Sequence, residues 1–321
     1  MTVTAVRAPG IDEIAAAAGR IASYVTPLPL VRLLHDHGDR EIYLQLENLQ
    51  PVGCYKLRGA ANAMLRLGRD VLDRGLYVAS AGNLAQGCAW MARELGTSLR
   101  VLVPQDAPET KLAAVRRLGG EVVRIPFPEW WQTMITGGHP AESGHFIHGV
   151  FDSDVIAGHG TIGLEIAERL PSVDEVFVPF GGGAMALGIA VALGARAPQA
   201  RVIAAEVETG APFHAALAAG APVEVAYRRS FVDGIGSPRV LDPMWPALSG
   251  RVHGSSVVSL SAIEDAIRLL AERHHVIAEG AGAASVAAAL QAPPGTRAVA
   301  VVSGGHINAS ELCRILGAAS A

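Results

Sequence analysis

The stretch Gly53-Cys54-Tyr55-Lys56-Leu57-Arg58-Gly59-Ala60 decides the reading of this chain. It follows an extended run, and the apolar positions after it, Leu57, Ala60, Ala61, Met64 and Leu65, recur at helical spacing. Lys56 therefore stands at the mouth of a helix. A lysine held there in an apolar pocket can aim its amine at a ligand. A desolvated amine loses proton affinity and becomes a nucleophile able to form a Schiff base. Alone this is weak evidence, because a lysine opening a helix is usually just solvated.

Working outward, short Val/Ile/Leu runs alternate with helical patterns, which predicts an α/β protein with mainly parallel sheets. Residues 76–80 read as a buried strand, 84–95 as a helix closed by Gly96, 99–103 as a strand, 109–118 as a helix and 121–125 as a strand. Residues 127–144 read as irregular. A second series follows, with strands at 175–180, 202–207 and 297–302 and a helix at 184–195. Residues 211–246 carry turn residues and read as a long excursion. Ser261-Ala262-Ile263-Glu264 reads as a capping box for a helix that runs to His274, and Asn308 as the cap of a final helix. Two domains are expected: a small one at 77–147, and a large one from 1–76 plus 148–321.

The bulk numbers narrow the function. The 321 residues are 50% hydrophobic and 17% charged, enough for a large core, with a net charge of -4. No basic patch points to nucleic acid. Mean hydropathy is positive. The longest apolar stretch, 184–195, is nevertheless interrupted by glycine and too short to span a bilayer. The N-terminus shows no basic-then-apolar signal peptide. Cys54, Cys88 and Cys313 have no paired spacing, which fits a reducing cytoplasm without disulfides or zinc.

Three more stretches carry chemistry. Gly181-Gly182-Gly183-Ala184-Met185 lies between strand and helix, where backbone N–H groups and the helix N-terminus cradle a phosphate. It is neither a Walker A sequence nor a convincing dinucleotide fingerprint, and the bland reading is a tight turn. Ser80-Ala81-Gly82-Asn83-Leu84 is a strand-turn-helix. Its N–H groups suit a carboxylate and its Asn83 amide a ring hydroxyl; in the bland reading Asn83 is only an N-cap. Ser303-Gly304-Gly305-His306 ends the last strand, where ligands of parallel sheets bind. A strand-end lysine, a phosphate cradle, an Asn-bearing turn and a strand-end serine form the set that a phosphorylated aldehyde cofactor needs.

With these motifs in this order, the chain resembles the fold type II pyridoxal-phosphate enzymes (tryptophan synthase β-like), and within them the serine/threonine dehydratase and serine racemase group. The resemblance runs from about Thr26 to Gly305 and includes Leu46-Glu47-Asn48-Leu49-Gln50, residues 151–161 and Glu279-Gly280-Ala281-Gly282-Ala283. It implies that Lys56 holds pyridoxal 5'-phosphate as a Schiff base and later moves the substrate's α-proton. Gly181, Gly182, Gly183, Ala184 and Met185 would bind the phosphate, Asn83 the ring hydroxyl and Ser303 the pyridine nitrogen. Tyr55 would lie beside the ring. Ser80, Ala81, Gly82, Asn83 and Leu84 would hold the substrate. The implied activity is elimination of water from a β-hydroxy amino acid such as L-threonine or L-serine, giving a 2-keto acid and ammonia, in a cytoplasmic homodimer. The alternatives are a dehydratase of a bulkier β-hydroxy amino acid, a racemase, a β-replacement synthase and a non-catalytic cofactor-binding protein.

Several residues depart from the family pattern. Cys54 and Tyr55 replace the usual Ser and Phe, Leu84 the usual His, His306 the usual Asn, and Gly149 the usual Pro beside His148. Glu129, Trp130 and Trp131 stand where an acidic pair is common. Ala81 replaces the serine that serves racemases as second acid/base, so racemisation of free serine is not expected. Glu206 matches a family metal ligand, but Gly210, Ala211 and Pro212 fill the region of its acidic partner, and no divalent metal site is expected. His35, His37, His145, His148, His159, His253, His274 and His275 read as surface or structural. Residues 233–237 read either as a turn near the cofactor or as part of the substrate pocket.

Overall fold

The computed structural model describes residues 5–36 and 38–318; His37 lies outside them. Among the described residues, strands β1 (Leu30–Arg32), β2 (Glu41–Gln45), β3 (Leu76–Ala79), β4 (Leu99–Pro104), β5 (Glu121–Ile125), β6 (His145–Phe146), β7 (Glu175–Pro179), β8 (Arg201–Val207), β9 (Gly254–Val258) and β10 (Arg297–Val301) build two sheets. The first runs β1-β2-β10-β7-β8-β9 and the second β5-β4-β3-β6. Only the β1–β2 pairing is antiparallel. The α/β architecture of parallel-dominated sheets flanked by helices is thus the one expected.

Parallel strands are covered on both faces and so read as unbroken apolar runs rather than alternating ones. β3 is buried at all four positions, and β7 and β10 at all but the first. One face of the larger sheet packs Val176, Val178 and Val299 against Leu187 and Ile189 of helix Ala184–Arg196. The other face packs Ile42, Leu44 and Ala300 against Ile263 and Ile267 of helix Leu260–His274. Leu57 and Met64 of helix Lys56–Leu65 share a core with Val78 and Val101 of the smaller sheet. Each such buried Leu or Met contributes roughly 1.5–3 kcal/mol by leaving water.

A buried ion network fixes that helix. The Arg58 guanidinium donates to both Glu47 oxygens at 2.8 Å, to Glu165 at 2.6 Å and to Thr161 at 3.0 Å. Arg58 is 1% exposed and Glu47 0%. Breaking one partner of such a pair leaves an uncompensated buried charge, at about 3–5 kcal/mol. The network ties the Lys56 helix to the end of β2 and to helix Ser153–Arg169.

The structure corrects three local readings. Phe127–Thr136 is a helix, not irregular: Pro128 sits in its first turn, where proline is tolerated, and Gly137 stops it in the left-handed region at φ 76°. The cap of helix Leu260–His274 is Ser259, whose Oγ accepts from Ala262 N at 3.1 Å, rather than Ser261. Asn308 does stand at the N-cap position of helix Ala309–Gly317, as read, though without a side-chain bond. The 211–246 excursion contains a helix, Pro212–Ala219.

Candidate active site

The carboxyl ends of β3, β4, β7 and β10 converge on one cavity of about 520 Å³. Its lining takes in Tyr55 and Lys56, Ser80 to Leu84, Gly181 to Met185, and Ser303. Every residue singled out for cofactor or substrate therefore faces the same space, although these segments lie far apart in the chain.

Backbone bonds set the positions. Tyr55 N donates to Ser303 O at 2.9 Å and Gly305 N to Gly53 O at 3.0 Å, with a bridge between Cys54 and Gly304. The loop before Lys56 is thereby stitched to the loop after β10. Helix Asn83–Leu95 closes in from the other side: a Cβ at Gly87 would meet the backbone of Lys56 and Leu57 at 3.3 Å. Lys56 Nζ lies 4.8 Å from the centre of the Tyr55 ring, and that ring packs on His159 at 4.7 Å. His159 is fully buried with neither ring nitrogen hydrogen-bonded, and burial holds it well below the usual histidine range, with the charges of Lys56 and Arg58 adding to the effect. It is a neutral packing residue behind Tyr55.

The glycine loop fits a phosphate. Gly183 has φ 88° and precedes helix Ala184–Arg196, whose first N–H groups have no partner within the helix. A Cβ on Gly182 would come within 2.7 Å of Val150 and one on Gly183 within 2.8 Å of Leu248, so the bare backbone is what the space admits.

Asn83 is not a cap. Gly82 occupies the N-cap position, and the Asn83 amide spans the cavity wall. Its Nδ2 donates to Glu279 Oε1 at 2.8 Å, and its Oδ1 accepts from His306 Nδ1 at 2.6 Å, which places a proton on that nitrogen. Burial pushes the Glu279 carboxyl up to about 7, against the opposing hydrogen bond from Asn83. Burial also lowers His306. The sequence reading missed Glu279 as a site residue. The signal was an acid immediately before a glycine/alanine helix, Gly280–Ala289, which buries it as N-cap.

Other expectations resolve plainly. Asp233, Gly234 and Ile235 line the cavity, so the 233–237 turn shapes the pocket. Glu206 is fully buried, and its carboxylate accepts from Phe213 N at 2.8 Å, His214 N at 2.7 Å and Ser255 Oγ at 2.5 Å. It anchors the start of helix Pro212–Ala219, with its oxygens engaged by protein donors. Cys54 and Cys88 are buried thiols pushed up to about 12 by burial, and Cys313 is exposed; none is in a disulfide. No helix among the described residues is long and apolar enough to cross a membrane.

Two parallel-dominated sheets with a lysine, a glycine cradle and a serine at their shared strand ends define a fold type II cofactor enzyme. Comparison with known proteins agrees: residues 21–304 match the family described as pyridoxal-phosphate dependent enzyme, and the chain belongs to it. It is 36% identical to the L-threonine ammonia-lyase of Thermotoga maritima over 91% of this chain and 73% of that one. It is 34% identical to the catabolic L-threonine dehydratase of Escherichia coli over 96% of both. The structure of maize serine racemase superposes with a TM-score of 0.88 at 28% identity, covering 96% of this chain and 97% of that one.

Proposed function

We propose that this enzyme removes water from a β-hydroxy amino acid, L-threonine or L-serine being the simplest, to give a 2-keto acid and ammonia. The observation that carries this reading is the convergence of Lys56, Asn83, Ser303 and the 181–185 loop on one cavity that has Ala81, not an acid or base, in its substrate turn. The Escherichia coli L-threonine dehydratase, matched over 96% of both chains, and the longer Thermotoga maritima L-threonine ammonia-lyase support it.

Pyridoxal phosphate bound there supplies an aldehyde with which amines condense and a ring that takes up the electron pair released at Cα. The glycine loop would hold the phosphate by backbone N–H groups. The Asn83 amide has one N–H committed to Glu279 and offers its second to the ring oxygen. Ser303 would meet the ring nitrogen with a neutral hydroxyl. A hydroxyl does not stabilise a protonated ring as a carboxylate would, which favours elimination over transamination. N–H groups of the Ser80–Leu84 turn hold the substrate carboxylate. Lys56 Nζ takes the proton from Cα, and the C–O bond at Cβ breaks. That proton balances the departing hydroxyl, so water is what leaves. The released enamine hydrolyses in solution. Ala81 has no proton to give to the opposite face of Cα, and this disfavours a racemase.

The same reading includes a small domain at 77–147 against a large one formed by the rest. The separate sheets support this division, and the core shared by helix Lys56–Leu65 and the smaller sheet favours an earlier boundary. It also includes a homodimer, which sedimentation would test. For the chemistry, the holoenzyme is incubated with a panel of β-hydroxy amino acids and 2-keto acid is measured. Product with one of them is the expected result. No product from any, with the cofactor spectrum present, overturns the proposal.

A further inference from the structure

The wall of the cavity that adjoins the substrate turn is apolar and aromatic. Helix Phe127–Thr136 presents Phe127, Trp130 and Met134 to the cavity, three residues at helical spacing on one face. Two anchors bring this face beside the turn. Leu102 O accepts from Trp130 Nε1 at 3.2 Å and also from Ser80 N at 3.1 Å, so the indole and the first residue of the turn share one carbonyl. At the other end of the helix, His148 Nε2 donates to Met134 O at 2.8 Å. Its Nδ1 accepts from Val150 N and Phe151 N, which fixes the tautomer.

The His148 turn carries Gly149, and a Cβ there would come within 2.4 Å of Leu84 Cδ2. Leu84 and Gly149, two departures from the family pattern 65 positions apart, are therefore packed on each other. Together they line the cavity with hydrocarbon where the pattern has an imidazole. Apart from Lys56, the charged groups of the lining have partners: Lys111 pairs with Asp233, Glu279 accepts from Asn83, and Arg229, largely exposed, lies 4.0 Å from Asp106. A charged substrate side chain would compete with these partners, whereas an apolar one would not.

We infer that the preferred substrate is a β-hydroxy amino acid whose β-carbon carries an apolar group larger than methyl, a phenyl ring above all, seated against Leu84, Phe127, Trp130 and Met134. This inference rests on the dehydratase reading for its chemistry and on the wall for its specificity. Hydrophobic pockets separate neighbours differing by one methylene by about 10–200-fold, so a ring against methyl is worth at least about 10-fold in kcat/KM.

The test uses holoenzyme in two measurements. In the first, keto-acid formation is compared among threo-3-phenylserine, L-threonine, L-serine and threo-3-hydroxyaspartate. In the second, unreactive L-phenylalanine and L-alanine are titrated against the cofactor absorbance. Expected are at least about 10-fold higher kcat/KM for phenylserine than for threonine, no preference for hydroxyaspartate, and tighter binding of L-phenylalanine than of L-alanine. Trp130→Ala and the milder Phe127→Ser, at a half-exposed position, each shrink that preference; the second keeps the test decisive if the first does not fold. Preference for serine, threonine or hydroxyaspartate, or a preference unchanged in Phe127→Ser, overturns the inference. Keto acid from none of the four overturns the dehydratase reading instead, and the titration still judges the wall.

Discussion

The two ends of the cavity are built by different means. The end proposed for the phosphate, Gly181 to Met185 on the larger sheet, is made of backbone: its shape comes from glycines that leave no room for side chains and from the opening turn of a helix. The end proposed for the substrate, on the smaller sheet, adds side chains to a backbone turn: Leu84, Phe127, Trp130 and Met134 set its character. A backbone site tolerates almost no substitution, and so its residues announce themselves in the sequence. A side-chain site is free to vary, and its ligand changes as it does.

The largest effect is expected where the two ends meet. Lys56→Ala should lower turnover at least about 1000-fold, and borohydride should no longer fix the cofactor to the chain. Covalent capture at an unchanged level would place the nucleophile elsewhere and undo the comparison altogether.

Next comes Glu279, which borders both ends. Its folded pKa of about 7 stands above the unfolded value of 4.5, so between those two pH values the native state holds more protons than the unfolded one. Stability of the apoenzyme must then fall as pH rises from about 4.5 to about 7 and level off above, by on the order of 3 kcal/mol from this group. Urea melts at pH 5 and pH 8 measure the loss, and Glu279→Gln should remove that contribution while keeping an oxygen for Asn83. An unchanged difference between the two pH values in the variant would show that the carboxyl is not the source.

At the phosphate end, Gly183→Ala combines a left-handed backbone with a Cβ against Leu248. Strain of this kind costs about 1–3 kcal/mol, and the cofactor's dissociation constant should rise by roughly 5–100-fold. The smallest effect belongs to the substrate end: Phe127→Ser should leave cofactor affinity within about 2-fold, since surface changes are usually worth less than 0.5 kcal/mol. A cofactor constant that moved as much in Phe127→Ser as in Gly183→Ala would erase the distinction between the two ends.

The same division explains what was legible. The glycine loop and the apolar strands β3, β4, β5, β7, β8 and β10 are written in local residues, and the bounds of those strands fell within a residue or two; β2, β6 and β9 were not read as strands. The substrate-end helix was hidden because Pro126, Pro128 and Gly137 read as breakers. In place, they are its cap, its first turn and its stop. Asn83 looks like a cap from its neighbours alone; only Glu279 and His306, about 200 positions away, pull its amide into the cavity. Glu47, Arg58 and Glu165 likewise meet only after folding, and no spacing rule announces a buried ion network.

One consequence follows from the stitch between the loop before Lys56 and the loop after β10. Cys54 pairs with Gly304, so the amine proposed to carry the cofactor is registered against a segment about 250 positions downstream. Bringing such distant segments together is the slow part of folding. During synthesis the amine therefore has no finished pocket until residues 303–305 have emerged and paired with the loop before it. A nascent or clipped protein that lacks those residues would carry an ordinary lysine, and cofactor capture would report only on chains that include them.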